Sequence, residues 1–348
     1  MSIKWEVTYF TIGATDLTLF ANGRMQVAAN ILIKAVNPAD NKPYTLTASD
    51  LGKIELVDYY NTGTKLGGGW TYTATENEFA HSMPGSKSSP NEGHEPLNNQ
   101  AKKYWVSTTK IESKSIGARI PQPNGRWINT HSDDFDSHIN LRGTQPVHYN
   151  TDNTNLKRDD TANGGSGFVI WDQDNYYLTS KNNNHAFKKA ELHGYRNENY
   201  KIEGMRWSIG YWRDGVTNYI HYFWEMGTQK RVKAGLTHYE DGRPFEWPAA
   251  VDITVRENRQ ALCFTRLRIT SLLSPYSNNW VFNSWFRIFD IYGNTGDFSV
   301  NHNERNLISI KNRGTSALGE SEPNCEDEVV HLGEKIPEGD ASDIPESA

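Results

Sequence analysis

Between Met205 and Trp224 the chain reads Met-Arg-Trp-Ser-Ile-Gly-Tyr-Trp-Arg, then Asp214-Gly215, then Val-Thr-Asn-Tyr-Ile-His-Tyr-Phe-Trp. Two alternating apolar and aromatic runs around Asp-Gly signal a β-hairpin, because a type I′ turn needs positive φ at both central residues. With Asp214-Gly215 as the loop, Met205 is expected opposite Trp224, Trp207 opposite Tyr222, Ile209 opposite Ile220 and Tyr211 opposite Asn218. That face is apolar nearly throughout and is expected to lie in a core. The other face sets Arg206, Ser208, Gly210 and Trp212 against Phe223, His221, Tyr219 and Thr217, with the Tyr219 ring covering the gap at Gly210. A face of flat rings and hydrogen-bonding groups suits a wall that binds a ligand. It suits equally a sheet packed under a polar loop. Arg206, Trp212, Tyr219, His221 and Phe223 are therefore candidate ligand-binding residues.

The same signal recurs at Asn22-Gly23, Asn124-Gly125 and Asp241-Gly242. After the first of these, Val27, Ala29, Ile31, Ile33 and Ala35 alternate with Gln26, Asn30 and Lys34, the pattern of a half-buried strand. Ser49 or Asp50 is placed to cap a short helical turn before the strand Ile54–Tyr60. Pro121 and Pro123 point to an edge strand, and Trp285–Tyr292, apolar on both faces, to a central one. No apolar pattern at helical spacing exceeds a few turns. The expected fold is all-β, with tandem immunoglobulin-like β-sandwich domains containing many Asn/Asp-Gly hairpins. The expected division is a β-sandwich module at 1–80, a linker or long loop at 81–102, a β module at 103–166 running into the next, an aromatic-rich sandwich at 167–312 and a disordered acidic tail at 313–348.

Charge becomes informative once it is localised. The net charge is −6, yet residues 314–348 hold ten acidic side chains and one lysine, so the remainder is near +3. No basic stripe marks a nucleic-acid surface, and a nucleic-acid partner is not expected. Only 36% of residues are hydrophobic and mean hydropathy is −0.72, while aromatics reach 12% with 11 Trp and 17 Tyr. Fourteen aromatics fall between Phe168 and Trp224. Rings that pack with one face and meet a ligand with the other are what carbohydrate recognition uses. Cys263 in an apolar run and Cys325 in the tail are expected as free thiols. With no basic-apolar leader, cytosolic synthesis is expected, with any release by a signal-independent route.

Two polar clusters stand out. Trp171-Asp172-Gln173-Asp174-Asn175-Tyr176-Tyr177 combines carboxylates, amides and rings, which adds Trp171, Asp172, Asp174 and Tyr176 to the ligand-binding candidates. Its bland alternative is a core tryptophan beside a polar turn. In His131–His138, alternate residues Asp134, Asp136 and His138 form a weak metal candidate, with calcium as the ion and a solvated acidic turn as the favoured alternative. Otherwise no cofactor is expected. Asp172 or Asp174 with Glu225 is the carboxylate pair to test for glycoside hydrolysis.

These features support three function classes in order. The first is a non-enzymatic, lectin-like protein binding a glycan or cell surface through an aromatic and polar sheet face. The second is a self-assembling or membrane-active, toxin-like β protein using the 205–224 hairpin. The third is a glycoside hydrolase.

Overall fold

The computed structural model describes residues 4–85, 100–166, 169–195, 207–227, 230–235, 238–240, 243–245, 250–255, 260–270, 279–301, 303–313 and 329–330. The described residues are nearly all β, with one four-residue α-helix and one short 3-10 turn. It forms two compact units, Met1–Val147 with Ile291–Asn294, and His148–Asp290 with Thr295–Ala348.

In the first unit the strands are β1 (Glu6–Ala14), β2 (Thr18–Phe20), β3 (Val27–Val36), β4 (Pro43–Tyr44), β5 (Glu55–Asp58), β6 (Asn61–Lys65), β7 (Trp70–Thr73), β8 (Gln100–Thr108), β9 (Ser113–Pro121), β10 (Trp127–Asn129) and β11 (Ile139–Thr144), with α1 (Ala48–Leu51) between β4 and β5. One sheet runs β1-β3-β8-β7 with β4 beside β3, and the other β2-β11-β9-β5-β6 with β10 beside β9. Phe10, Ile31, Ile33 and Val106 of the first sheet share one core with Leu19, Leu56, Ile116 and Leu141 of the second, which makes the unit a β-sandwich. The predicted inward face of β3 is buried throughout, from Val27 to Ala35. The unit joins stretches that the sequence divided at 81–102. β3 pairs with β8 and β5 with β9, so ladder bonds cross that boundary.

Several local expectations change. Asn22-Gly23 makes no hairpin, because β2 pairs with β11 while β3 pairs with β1 in the other sheet. Asn22 instead turns the chain between sheets, its Oδ1 accepting from the Arg24 and Met25 amides and its Nδ2 donating to the Tyr292 carbonyl and Asn294 Oδ1. Thr47, rather than Ser49 or Asp50, caps α1, and Asp50 completes a capping box from inside the helix. β9 is central, its Pro121 tolerated at the strand's last residue. Asn124-Gly125 lies in a five-residue loop of the β9–β10 hairpin, since Trp127 pairs with Pro121.

The second unit contains β12 (Thr154–Ser166), β13 (Val169–Ser180), β14 (Phe187–His193), β15 (Ser208–Asp214), β16 (Thr217–Phe223), β17 (Lys230–Gly235), β18 (His238–Glu240), β19 (Arg243–Phe245), β20 (Ala250–Val255), β21 (Leu262–Thr270), β22 (Trp280–Phe282), β23 (Trp285–Asp290), β24 (Thr295–Asn301), β25 (Ser309–Asn312) and β26 (Val329–Val330). The long sheet has the order β12-β13-β21-β16-β15-β22-β26, and a four-stranded sheet the order β14-β23-β24-β25. β17–β20 and β18–β19 are separate antiparallel pairs, the latter matching Glu240 with Arg243, while the expected turn at Asp241-Gly242 lies outside the described residues. β23 is an interior strand, as its sequence implied. Phe223 and Phe264 of the long sheet meet Phe286 of the short one at ring-centroid distances of 5.7 and 5.4 Å, and Phe286 stacks on Phe298. Aromatic side chains thus fill the space between these sheets. Cys263 is a buried free thiol, while Cys325 and the acidic tail, β26 apart, lie outside the described residues.

Candidate ligand-binding site on the long sheet

The hairpin expected at 205–224 is β15–β16, with its turn one residue later than expected. Asp214 pairs with Thr217, leaving Gly215-Val216 as the loop, and Gly215 alone of that pair takes positive φ, +59°. A glycine at the first central position is the type II′ solution to the same twist requirement. Moving the turn by one residue shifts the pairing by two, which preserves the assignment of side chains to faces. Ile209, Tyr211, Ile220, Tyr222 and Trp224 are accordingly buried, and Trp207 packs against that cluster. Gly210 pairs with His221 rather than Tyr219, and the ring over it is that of Trp212, 2.6 Å from where a Cβ would stand.

The second face of this hairpin is not an open wall. Trp212, His221 and Phe223 are at most 1% exposed, and Arg206 lies outside the described residues. Phe223 is covered by Phe286, and Trp212 meets the His221 ring edge-on at 4.7 Å. The His221 Nε2–H donates to the Arg305 carbonyl at 2.9 Å, so the loop after β24 lies over this face. Tyr219 alone of the expected set reaches the surface, half-buried.

Register brings together two candidate sets that are distant in sequence. Residues two apart on a strand share a face, and β21 sits between β13 and β16. One row across the sheet is Asp160, Asp174, Arg266, His221 and Gly210. The next is Asp172, Arg268, Tyr219 and Trp212. On the other side of the first row stand Arg158, Tyr176, Phe264 and Phe223. Asp172, Asp174 and Tyr176 therefore share a face with Trp212, Tyr219, His221 and Phe223. Trp171 points to the opposite face, its ring lying across Gly164 on β12. Gln173 and Asn175 on that opposite face belong to a buried chain of hydrogen bonds. Trp224 Nε1 donates to Thr265 Oγ1, Thr265 to Asn175 Oδ1, and Asn175 Nδ2 to the Tyr177 hydroxyl.

Arg266, which the sequence reading passed over, organises the floor. Its side chain is 1% exposed, it donates to Asp172 Oδ2 at 2.5 Å and it pairs directly with the fully buried Asp174. Arg158 reaches Asp174 from the edge strand at 2.8 Å. Burial lowers the Arg266 pKa from its ordinary value, while the hydrogen bond and charge of Asp172 oppose that loss. Burial likewise raises the Tyr176 phenol above 10.0. A guanidinium between two strand-borne aspartates has a signal in the sequence only if β13 and β21 are known to be neighbours.

Asp160, Asp172 and Asp174 bring carboxylate oxygens within 4.8 Å of one another, a separation compatible with one calcium ion. Arg266 and Arg158 supply positive charge to Asp172 and Asp174 within this cluster. The expected metal set, Asp134, Asp136 and His138, does not converge. Asp136 accepts a hydrogen bond from the Tyr59 hydroxyl, His138 lies against the Tyr59 ring at 4.3 Å, and Asp134 is exposed. Of the carboxylates weighed for hydrolysis, Asp172 and the fully buried Asp174 are paired with Arg266, and Glu225 is exposed beyond the end of β16.

An open depression of about 750 Å³ shares Arg158 with the network. Arg158, Asp214 and Tyr219 form its sheet side, and residues 303–307 form its loop side. Asn303, Glu304, Arg305 and Asn306 give this loop donors and acceptors, and Leu307 adds an exposed apolar group.

No family model and no curated protein sequence matches the chain. Among solved structures it is similar to the Yersinia pseudotuberculosis adhesin InvE, with 9% identity over 83% of this chain and 57% of that one and a TM-score of 0.18. It is also similar to invasin, a bacterial integrin-binding protein, with 9% identity, 83% and 59% coverage and a TM-score of 0.19. A third is the C-terminal domain of the Streptococcus agalactiae AgI/II polypeptide BspA, with 9% identity, 87% and 100% coverage and a TM-score of 0.18. The chain spans less than two thirds of the InvE and invasin chains. The class its own fold defines is an all-β protein of β-sandwich architecture.

Proposed function

We propose that this is a non-enzymatic binding protein whose second unit recognises a glycan, at a cell surface or free, in the depression around Tyr219. The observation that carries the reading is the half-buried Tyr219 ring set among Arg158, Asp214, Asn303, Glu304 and Arg305, on the sheet face that also holds the Arg266 ion pairs. A sugar offers C–H faces to a ring and hydroxyls to paired donors and acceptors, and this wall has both. Asp172 and Asp174 act as anchors for arginines and not as an acid and a nucleophile.

The membrane-active alternative gains no support from the hairpin itself. β15 pairs with β22 and β16 with β21, and both faces are largely buried, so the hairpin is an interior part of a sheet.

A glycan-array screen of the full chain tests the reading. Tyr219→Ala and Arg158→Ala are expected to weaken any captured glycan at least tenfold with an unchanged circular dichroism spectrum. Capture that both variants leave unaltered would move the site elsewhere.

A further inference from the structure

The opposite face of the long sheet carries a second depression of about 380 Å³. Asn155 and Lys157 of β12 stand opposite Thr179 and Tyr177 of β13, and Asn182, Asn183 and Gln260 close the wall. Its polar groups are amides, hydroxyls and one ammonium, with no carboxylate among them. Lys157 is exposed, and no acidic side chain forms an ion pair with it among the described residues. Asp159, the next residue of β12 on that face, stands outside the wall.

An ammonium among neutral donors attracts a negative group, and charge-assisted hydrogen bonds are about twice as strong as neutral ones. Amides donate and accept at once, which matches vicinal hydroxyls. The volume is that of a small-ligand site. We propose that this depression binds a hydroxylated anion of one-ring size, namely a sugar unit carrying a carboxylate or sulfate, with Lys157 on the anionic group and Asn155, Asn183 and Gln260 on the hydroxyls. The proposal does not rest on the site around Tyr219. With both sites present, one chain can hold two sugar units on opposite faces of one sheet, and an extended or clustered glycan gains avidity from that pairing.

Calorimetric titration of the full chain at low ionic strength with glucuronate, glucose 6-sulfate, glucose and inorganic sulfate tests it. The two anionic sugars are expected to bind at least tenfold more tightly than glucose. Lys157→Gln is expected to remove that difference and Lys157→Arg to retain it. Carboxylate and sulfate arms then report which anion is preferred. Glucose binding as tightly as glucuronate, unaltered binding in Lys157→Gln, or no binding of either anionic sugar at millimolar concentration would overturn the proposal. Inorganic sulfate binding as tightly as the sulfated sugar would overturn its sugar part.

Discussion

Replacing Arg266 by methionine removes the guanidinium shared by Asp172 and Asp174 while keeping most of its volume. Breaking one side of a buried ion pair costs about 3–5 kcal/mol, because the remaining charge has lost its partner. Arg266→Met is expected to lose that much stability in urea denaturation, and Arg266→Met with Asp174→Leu to recover a large part of it. If the single variant lost under about 1 kcal/mol, the proposed floor would not be held by this pair. Tyr59 makes a different residue-level prediction. Its hydrogen bond to Asp136, aided by burial and the nearby negative charge, raises the phenol from 10.0 to about 12. The folded state therefore holds its proton where the unfolded state has lost it. This contribution is complete below pH 10 and is lost as pH rises from 10 to 12. Tyr59→Phe is expected to flatten the alkaline limb of the stability profile, measured by denaturation at stepped pH.

At the scale of elements, hairpin β15–β16 shows what alternation can and cannot convey. The faces were legible because side-chain period two survives a shift of the turn by one residue. Exposure was not legible, because the cover over Phe223 comes from Phe286, sixty residues on in a different sheet. For the same reason Asp172, Asp174 and Tyr219 were recognised as candidates while Arg266, which links their strands, was not. Asn22-Gly23 misled because a positive-φ glycine serves a crossing between sheets as readily as a hairpin. Gly210 offers a direct test of the packing here. A methyl group there meets the Trp212 ring at 2.6 Å, so Gly210→Ala is expected to cost about 1–3 kcal/mol through overpacking. The near-UV circular dichroism should change with it, and an unperturbed spectrum at wild-type stability would contradict the placement of that ring.

For the whole molecule, the first unit is discontinuous. Tyr292 belongs to its core, meeting Phe20 edge-to-face at 5.5 Å, and the Tyr292 carbonyl and Asn294 side chain receive both donors of the Asn22 amide. Tyr292→Ala is expected to cost about 3–5 kcal/mol, as for other large aromatic truncations, read as a lower denaturation midpoint. Such a unit has an order of assembly written into its connectivity. During translation its eleven strands leave the ribosome first, yet the loop that completes its core follows only after His148–Asp290 has been made. At about 5–20 residues per second that is a wait of roughly seven to thirty seconds. Through that interval the Asn22 amide and the Phe20 ring lack their native partners, and a protease or a stalled ribosome meets a nascent sandwich still waiting for its last four residues.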